Sequence, residues 1–254
     1  MSICYTKKIL KTISLNIGYK PSRRKEVSVL KNINLNLYPG ELVCLIGSNG
    51  AGKSSLIKTI LGIHKPLSGK IYLYNKDTTQ LSISELSRFC SIVFSSNGNA
   101  GHMNVLDLVS MGRYPHTGWF GKLKQEDKNL IDKALEITGI SELALRKLDE
   151  LSDGEKQRAY IARAIAQDTP LLLLDEPTAH IDYPGRILIL DLLLRLCRDE
   201  SKTILFSSHE LELAARYANR FFLIDKDQNL IEGTPGEILQ SKEFYEVFQL
   251  KMVQ

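Results

Sequence analysis

The fold is decided by the stretch Leu42-Val43-Cys44-Leu45-Ile46-Gly47-Ser48-Asn49-Gly50-Ala51-Gly52-Lys53-Ser54. Its apolar first part predicts a buried strand, and its second part matches the phosphate-loop pattern GxxxxGKS in full. Such a loop requires a strand before the glycines and a helix after them, and a helix is indicated from Lys53 to Leu61. A chance glycine turn is the alternative, which the flanking strand and helix disfavour.

A phosphate loop binds its ligand through backbone N–H groups and the positive end of the following helix. Lys53 is predicted to neutralise the β- and γ-phosphate oxygens, and the Ser54 hydroxyl is predicted to bind Mg²⁺. We therefore expect ATP and Mg²⁺ as cofactors. The predicted nucleotide contacts in this segment are Gly47, Ser48, Asn49, Gly50, Ala51, Gly52, Lys53, Ser54 and Ser55.

Two acids end a second apolar stretch, Leu171-Leu172-Leu173-Leu174-Asp175-Glu176-Pro177. At the end of a buried strand the Asp175 carboxylate can hold Mg²⁺, directly or through water. Glu176 can reach a water that attacks the γ-phosphate, so it is the candidate general base. An ordinary acidic turn is the alternative, and the phosphate loop in the same chain argues against it.

A third segment, Leu151-Ser152-Asp153-Gly154-Glu155, opens a predicted helix. Ser152 is suited to the N-cap position, and Glu155 completes a capping box. This capping role explains the segment locally, but it leaves unexplained why the segment lies between the phosphate loop and the acid pair. His209 follows the predicted strand Thr203–Phe206 and two serines, and by itself it could be a helix-start residue without chemistry.

Alternating apolar residues in the first forty positions predict strands of a half-exposed sheet. Later strands alternate with helices, which predicts a largely parallel sheet with active loops at its carboxyl edge. Helical periodicity replaces this pattern over Val105–Met111, Glu126–Thr138 and Glu142–Leu148. We expect one α/β domain over residues 1–254, with a core at 1–96 and 151–254 and an inserted helical subdomain at about 97–150.

Bulk properties exclude several classes of protein. The net charge of +4 is spread out, and the one basic run, Arg23–Lys25, is predicted to be a solvated loop, so we expect no nucleic-acid partner. The scattered cysteines show no metal-ligand spacing and favour a reducing compartment. The longest apolar stretch, Ile187–Leu196, is too short to span a bilayer, and because Met1–Lys11 has no sustained apolar core we expect no signal segment there. The cysteines are Cys4, Cys44, Cys90 and Cys197.

Together these segments resemble an ATP-binding cassette (ABC) ATPase, from about Ile13 to Phe248. The resemblance implies a P-loop NTPase core, an N-terminal antiparallel β subdomain and an inserted α-helical subdomain. It also implies a homodimer in which Ser152, Asp153, Gly154 and Glu155 approach the γ-phosphate bound by the other subunit. His209 would then orient Glu176 and contact the γ-phosphate, and Tyr19 would stack on adenine. Ala179–Asp182 occupies the place of the D-loop.

Within that family, Val105–His116 and Gly118–Gly121 resemble the helical lobe of importers for iron-siderophore, haem and cobalamin, and Asp153 recurs there. This implies transmembrane permease subunits as partners, an indirect extracytoplasmic binding protein, and a place at the cytoplasmic face of the inner membrane. Three alternatives stay open: an exporter ATPase, a soluble cassette of translation or DNA repair, and an ATP switch with weak hydrolysis.

One position departs from the family pattern. The glutamine that normally contacts Mg²⁺ and the attacking water falls at Ser95, and neither Ser95 nor Ser96 reaches as far. Serine could act at this metal position only through an intervening water. We therefore expect slow but measurable hydrolysis.

Overall fold

Two sheets organise the chain in the computed structural model, which describes residues 8–19, 26–95, 102–118 and 121–250. Cys4, Arg23–Lys25, Ser96 and the Trp119-Phe120 pair lie outside the described residues, so the expectations for them stay predictions. The strands are β1 (Leu10–Tyr19), β2 (Val27–Ile33), β3 (Asn36–Leu37), β4 (Leu42–Ile46), β5 (Ser68–Leu73), β6 (Lys76–Asp77), β7 (Cys90–Val93), β8 (Leu171–Leu174), β9 (Thr203–Ser207), β10 (Arg220–Ile224) and β11 (Leu230–Gly233).

Helices pack against the sheets, and three of the nine described α-helices lie between β7 and β8. They are α1 (Lys53–Ile60), α2 (Ile83–Leu86), α3 (Val105–Ser110), α4 (Gln125–Ile137), α5 (Asp153–Ala166), α6 (Tyr183–Asp199), α7 (Leu211–Tyr217), α8 (Pro235–Gln240) and α9 (Lys242–Phe248). None of the described helices combines the length and the apolarity that a bilayer crossing requires.

The larger sheet has the order β11-β10-β4-β9-β8-β7, and its strands from β10 to β7 are parallel. β4 and β8 are buried along their whole length, which explains why their sequences are continuously apolar rather than alternating. The predicted parallel sheet is therefore confirmed. Because parallel strands end at one edge, this sheet collects their carboxyl ends in one place.

The smaller sheet is antiparallel, with the order β2-β1-β5-β6 and β3 paired to β1. It confirms the predicted N-terminal β subdomain. Ile13 on β1 is 38% exposed, whereas Leu15 and Ile17 are fully buried. Register shifts between Ile13 and Asn16 and beyond Leu15 interrupt the strict alternation that the sequence indicated.

The helix predicted over Glu142–Leu148 is wrong. This segment instead holds the end of one 3-10 turn, Ser141–Leu143, and the start of another, Leu148–Glu150. The carbonyls of Ala144 and Arg146 accept the first N–H groups of α3, from Leu106 at 2.8 Å and Val105 at 3.0 Å. Since these carbonyls satisfy the start of another helix, they do not serve a helix of their own.

A buried ion pair ties this helical region together. Arg113 and Asp127 are 6% and 5% exposed, and Arg113 Nε lies 2.9 Å from Asp127 Oδ1. Arg113 Nη1 also donates to the carbonyl of Ala166 on α5 at 2.8 Å. The pKa of Asp127 lies below its usual range because the Lys124 N–H and the Arg113 side chain donate to its carboxylate. The segment Met111–His116 is thereby joined to both α4 and α5.

Replacement of Asp127 by alanine should lower the free energy of unfolding by about 3 kcal/mol, because Arg113 would keep a buried, unpaired charge. A depressed carboxyl pKa stabilises the fold above the ordinary value of about 4 and loses that contribution as the pH falls through the folded-state pKa. The difference from wild type should therefore shrink in acid. Urea unfolding at several pH values measures it.

The control is Asp132→Ala on the exposed side of the same helix, which should change the unfolding free energy by no more than about 0.5 kcal/mol. Equal effects of the two substitutions would show that the Arg113–Asp127 pair does not hold the helical region.

Candidate nucleotide site

The predicted site residues follow strands that lie side by side. β9 lies between β4 and β8, with Ser207 opposite Leu45 and Phe206 opposite Leu174. The chain leaves β4 into the phosphate loop and leaves β8 into the acid pair. The phosphate loop, Asp175 and the Ser207–His209 segment therefore meet at the carboxyl edge of the large sheet.

Lys53 is the first residue of α1, and its side chain turns back along the phosphate loop. Its Nζ donates to the carbonyls of Gly47 at 2.9 Å and Ser48 at 3.3 Å. The residue is 5% exposed, and burial lowers its pKa from the ordinary value, while the Glu176 and Asp175 carboxylates act in the opposite direction. A desolvated ammonium group gains from an added anion, which suits phosphate at this position.

Gly52 shows why the loop needs glycine directly before α1. Its φ is +106°, a backbone conformation that residues with side chains rarely adopt. A Cβ at this position would also lie only 2.6 Å from Val29 Cγ1. The loop can turn into the helix here only without a side chain.

The acid pair is held by groups from the end of β9. Asp175 is 4% exposed, and its Oδ1 accepts a hydrogen bond from Ser207 Oγ at 2.9 Å. Glu176 has a φ of +52°, a left-handed conformation that is strained for residues other than glycine. Its carboxylate Oε1 lies 2.6 Å from His209 Nε2. The two predicted catalytic side chains are therefore in direct contact.

Tyr19, the residue expected to stack on adenine, is the last residue of β1. Its hydroxyl lies 2.8 Å from Ser55 Oγ, and its ring meets the edge of His64 at a centroid distance of 5.7 Å. The side chain stays 47% exposed, so ring surface is available to a flat base.

One cleft collects most of the predicted nucleotide contacts. Its volume is about 280 Å³. Gly47 and Ser48 are not among its lining residues, but their carbonyls accept hydrogen bonds from Lys53, which is. Its lining residues are Tyr19, Val29, Asn49, Gly50, Ala51, Gly52, Lys53, Ser54, Ser55, Glu176 and His209.

The predicted signature residues lie in a different cleft, with a volume of about 450 Å³. Ser152 caps α5 and forms the full capping box with Glu155. The Ser152 N–H and hydroxyl both donate to the Glu155 carboxylate, which holds the pKa of Glu155 below its ordinary value. Asp153 is exposed, with Lys156 Nζ 3.9 Å away, and Gly154 lines the cleft beside the D-loop residues His180–Asp182.

Ser95 is exposed and follows the end of β7. Ser95 is not among the described residues that line the phosphate-loop cleft. Serine at this position has a shorter side chain than the glutamine of the family pattern.

Ser207 is the residue that sequence reasoning missed. It is fully buried, and besides donating to Asp175 it accepts the Glu176 N–H at 2.9 Å. The available signal was a serine that ends the apolar run Ile204–Phe206, directly before Ser208 and His209. A hydroxyl at a buried strand end needs a partner, and the acid pair is that partner.

This combination of a parallel sheet, a phosphate loop after β4 and an acid pair after β8, with β9 between the two strands, defines a P-loop nucleoside triphosphatase. Comparison with known proteins narrows the class. The model of the ABC transporter family matches residues 30–179. The chain belongs to that family, and it is an ATP-binding cassette ATPase of the type coupled to transport.

Curated relatives match over nearly the whole chain. The petrobactin import ATP-binding protein FpuD of Bacillus anthracis is 36% identical over 96% of this chain and 88% of its own length. The iron(3+)-hydroxamate import ATP-binding protein FhuC of Bacillus subtilis is 37% identical over 95% of this chain and 88% of its own. These relatives favour an importer ATPase over the exporter and soluble alternatives.

The fold also matches solved cassettes. A dimeric structure of a bacterial ABC transporter cassette superposes with a TM-score of 0.76 at 28% identity, covering 89% of this chain and 98% of that one.

Glu176→Gln should lower steady-state phosphate release by at least about 100-fold, because the amide cannot take a proton from the attacking water. ATP binding, measured by equilibrium dialysis, should persist. Glu212→Gln, the same change on an exposed position of α7, is the matched control and should hydrolyse ATP at the wild-type rate. Unchanged phosphate release in the Glu176 variant would remove it as the general base.

Proposed function

We propose that this chain powers the uptake of an iron chelate, haem or cobalamin through a partner permease at the cytoplasmic face of the membrane. The observation that carries the proposal is the match, over nearly the whole chain, to import proteins for petrobactin and for iron(3+)-hydroxamates. Among the substrates expected from the sequence, ferric siderophores are therefore the first choice. The permease and an extracytoplasmic binding protein would select the chelate.

Mg²⁺ fits the groups at the acid pair. Hard cations take oxygen ligands: the Ser54 hydroxyl lines the phosphate-loop cleft, and the Asp175 carboxylate lies close enough to act on the charge of Lys53 in the same loop. Ser207 donates to one carboxylate oxygen and leaves the other available. When bound, Mg²⁺ would neutralise charge on the β- and γ-phosphates.

The protein groups then have distinct tasks. Lys53 offsets phosphate charge, and the backbone N–H groups of the phosphate loop orient the anion. Glu176 takes the proton of the attacking water, and His209 holds the Glu176 carboxylate through the 2.6 Å contact. Catalysis of this kind depends on position and electrostatics more than on covalent chemistry.

Two chains complete each site in this proposal. Within one chain the phosphate loop and Ser152 line separate clefts, so neither cleft alone holds both groups. A homodimer would place the amino end of one α5 against the ATP of the other chain, with Gly154 offering backbone N–H groups to the γ-phosphate. The existence of a dimeric cassette among the related structures supports a dimer of this chain.

The function is tested by uptake of radioactive iron in cells that lack this chain. Uptake of at least one chelate class, among hydroxamate and catecholate siderophores and haem, should be lost, and labelled cobalamin is measured in parallel. The wild-type chain should restore uptake and Glu176→Gln should not. Unchanged uptake of every compound would refute the import proposal, and slower release of a preloaded compound would indicate an exporter.

Asp153→Asn should tighten the ATP-bound dimer. In the proposed dimer the Asp153 carboxylate faces the partner's γ-phosphate, and relief of about 1 kcal/mol of repulsion at each of the two sites corresponds to about 30-fold in dimer affinity. Sedimentation with ATP in the Glu176→Gln background measures it, with Asp153→Gly as a second replacement. Asp132→Asn, exposed on α4, is the control, and weaker dimerisation of both Asp153 variants would assign the acid a positive role.

A further inference from the structure

Ser207 joins two consecutive acidic residues through a single hydroxyl group. Its Oγ donates to Asp175 Oδ1 and accepts the N–H of Glu176, both at 2.9 Å. A serine hydroxyl has one proton to donate and two lone pairs that accept, so one side chain can make both contacts at once. The side chain of Asp175 and the backbone of Glu176 are therefore fixed relative to each other.

Because these hydrogen bonds are buried, their loss is energetically costly. Ser207 is fully buried and Asp175 is 4% exposed, so water does not replace a hydrogen bond that is lost here. A buried carboxylate needs hydrogen-bond donors, and the hydroxyl supplies one whose direction is set by β9. The sheet register places Ser207 level with the chain that leaves β8, one pair beyond Phe206 and Leu174.

Glu176 is held at two points by the same segment. Its backbone N–H is bound by Ser207, and its carboxylate lies against His209, two residues further on. The left-handed φ of +52° at Glu176 is maintained only where surrounding contacts fix it. The Ser207 hydroxyl provides one of those contacts.

We propose that Ser207 is a positioning residue that aims the Asp175 carboxylate at the bound metal and fixes the backbone from which Glu176 reaches the water. The proposal rests on the proposed function, in which Asp175 holds Mg²⁺. Groups that orient a metal ligand through a hydrogen bond commonly contribute about 10- to 100-fold to metal affinity.

The test uses Mn²⁺ as the probe, with the full chain saturated by a nonhydrolysable ATP analogue. Electron paramagnetic resonance distinguishes protein-bound Mn²⁺ from Mn²⁺ on free nucleotide. Ser207→Ala should weaken Mn²⁺ binding about 10-fold or more, whereas Ser207→Thr, which keeps the hydroxyl, should retain most of the affinity. Ser207→Cys, with its weak S–H donor, should fall between them.

The control for loss of a buried hydroxyl is Ser91→Ala. Ser91 is 2% exposed on β7 of the same sheet, and its Oγ accepts from Thr169 rather than from the acid pair. Thermal unfolding should show that both alanine variants fold, and only the Ser207 variant should bind Mn²⁺ more weakly. If Ser207 had only a structural role, the Mn²⁺ affinity would change equally in the two variants, and that result would overturn the proposal.

Two further results distinguish a failure of this proposal from a failure of the proposed function on which it rests. Wild-type affinity in Ser207→Ala, with nucleotide and Mn²⁺ still bound, would refute the role of Ser207 alone. Absence of any protein-bound Mn²⁺ signal in the wild-type chain would refute the metal site at Asp175, and the role of Ser207 with it.

Discussion

The parallel pairing of β4, β9 and β8 is the constraint on which the rest of the structure depends. It sets three strand ends level, and every group of the phosphate-loop cleft except Tyr19 and Val29 is attached to one of them or to the helix that follows. These strands can lie in the centre of the sheet because β4 and β8 are apolar on both faces and β9 is apolar from Ile204 to Phe206. The polar residues of the site begin where these apolar runs end, at the carboxyl edge of the sheet.

Two buried charged groups, the Lys53 ammonium and the Asp175 carboxylate, lie at that edge of the sheet. The Lys53 ammonium donates its hydrogen bonds to backbone carbonyls and not to either acid. Asp175 is paired with a neutral hydroxyl instead of a cation. Neither charge is neutralised by a direct ion pair with the other, so both remain able to act on a ligand that carries phosphate and a divalent metal.

The sequence was informative where a residue's role depends on its immediate neighbours. The phosphate loop, the capping box at Ser152 and the strand before Asp175 each follow from local rules of spacing and polarity. Ser207 could not be assigned in this way, because its partners lie 31 and 32 residues away and are fixed only by the register of β8 and β9. The error at Glu142–Leu148 has the same origin, since those carbonyls are occupied by α3, a helix from earlier in the chain.

The separation of the two clefts has a genetic consequence. In the proposed homodimer each composite site takes its phosphate loop from one chain and its signature segment from the other. In a mixed dimer, a chain with a defective Lys53 therefore inactivates the site that contains its own phosphate loop. A chain with a defective Ser152 inactivates the site that contains its partner's phosphate loop. When two such chains pair, both defects fall in the same site and the second site is intact. If one intact site is sufficient for transport, two inactive alleles complement each other within one gene, whereas an allele that carries both defects inactivates both sites of a dimer with the wild-type chain.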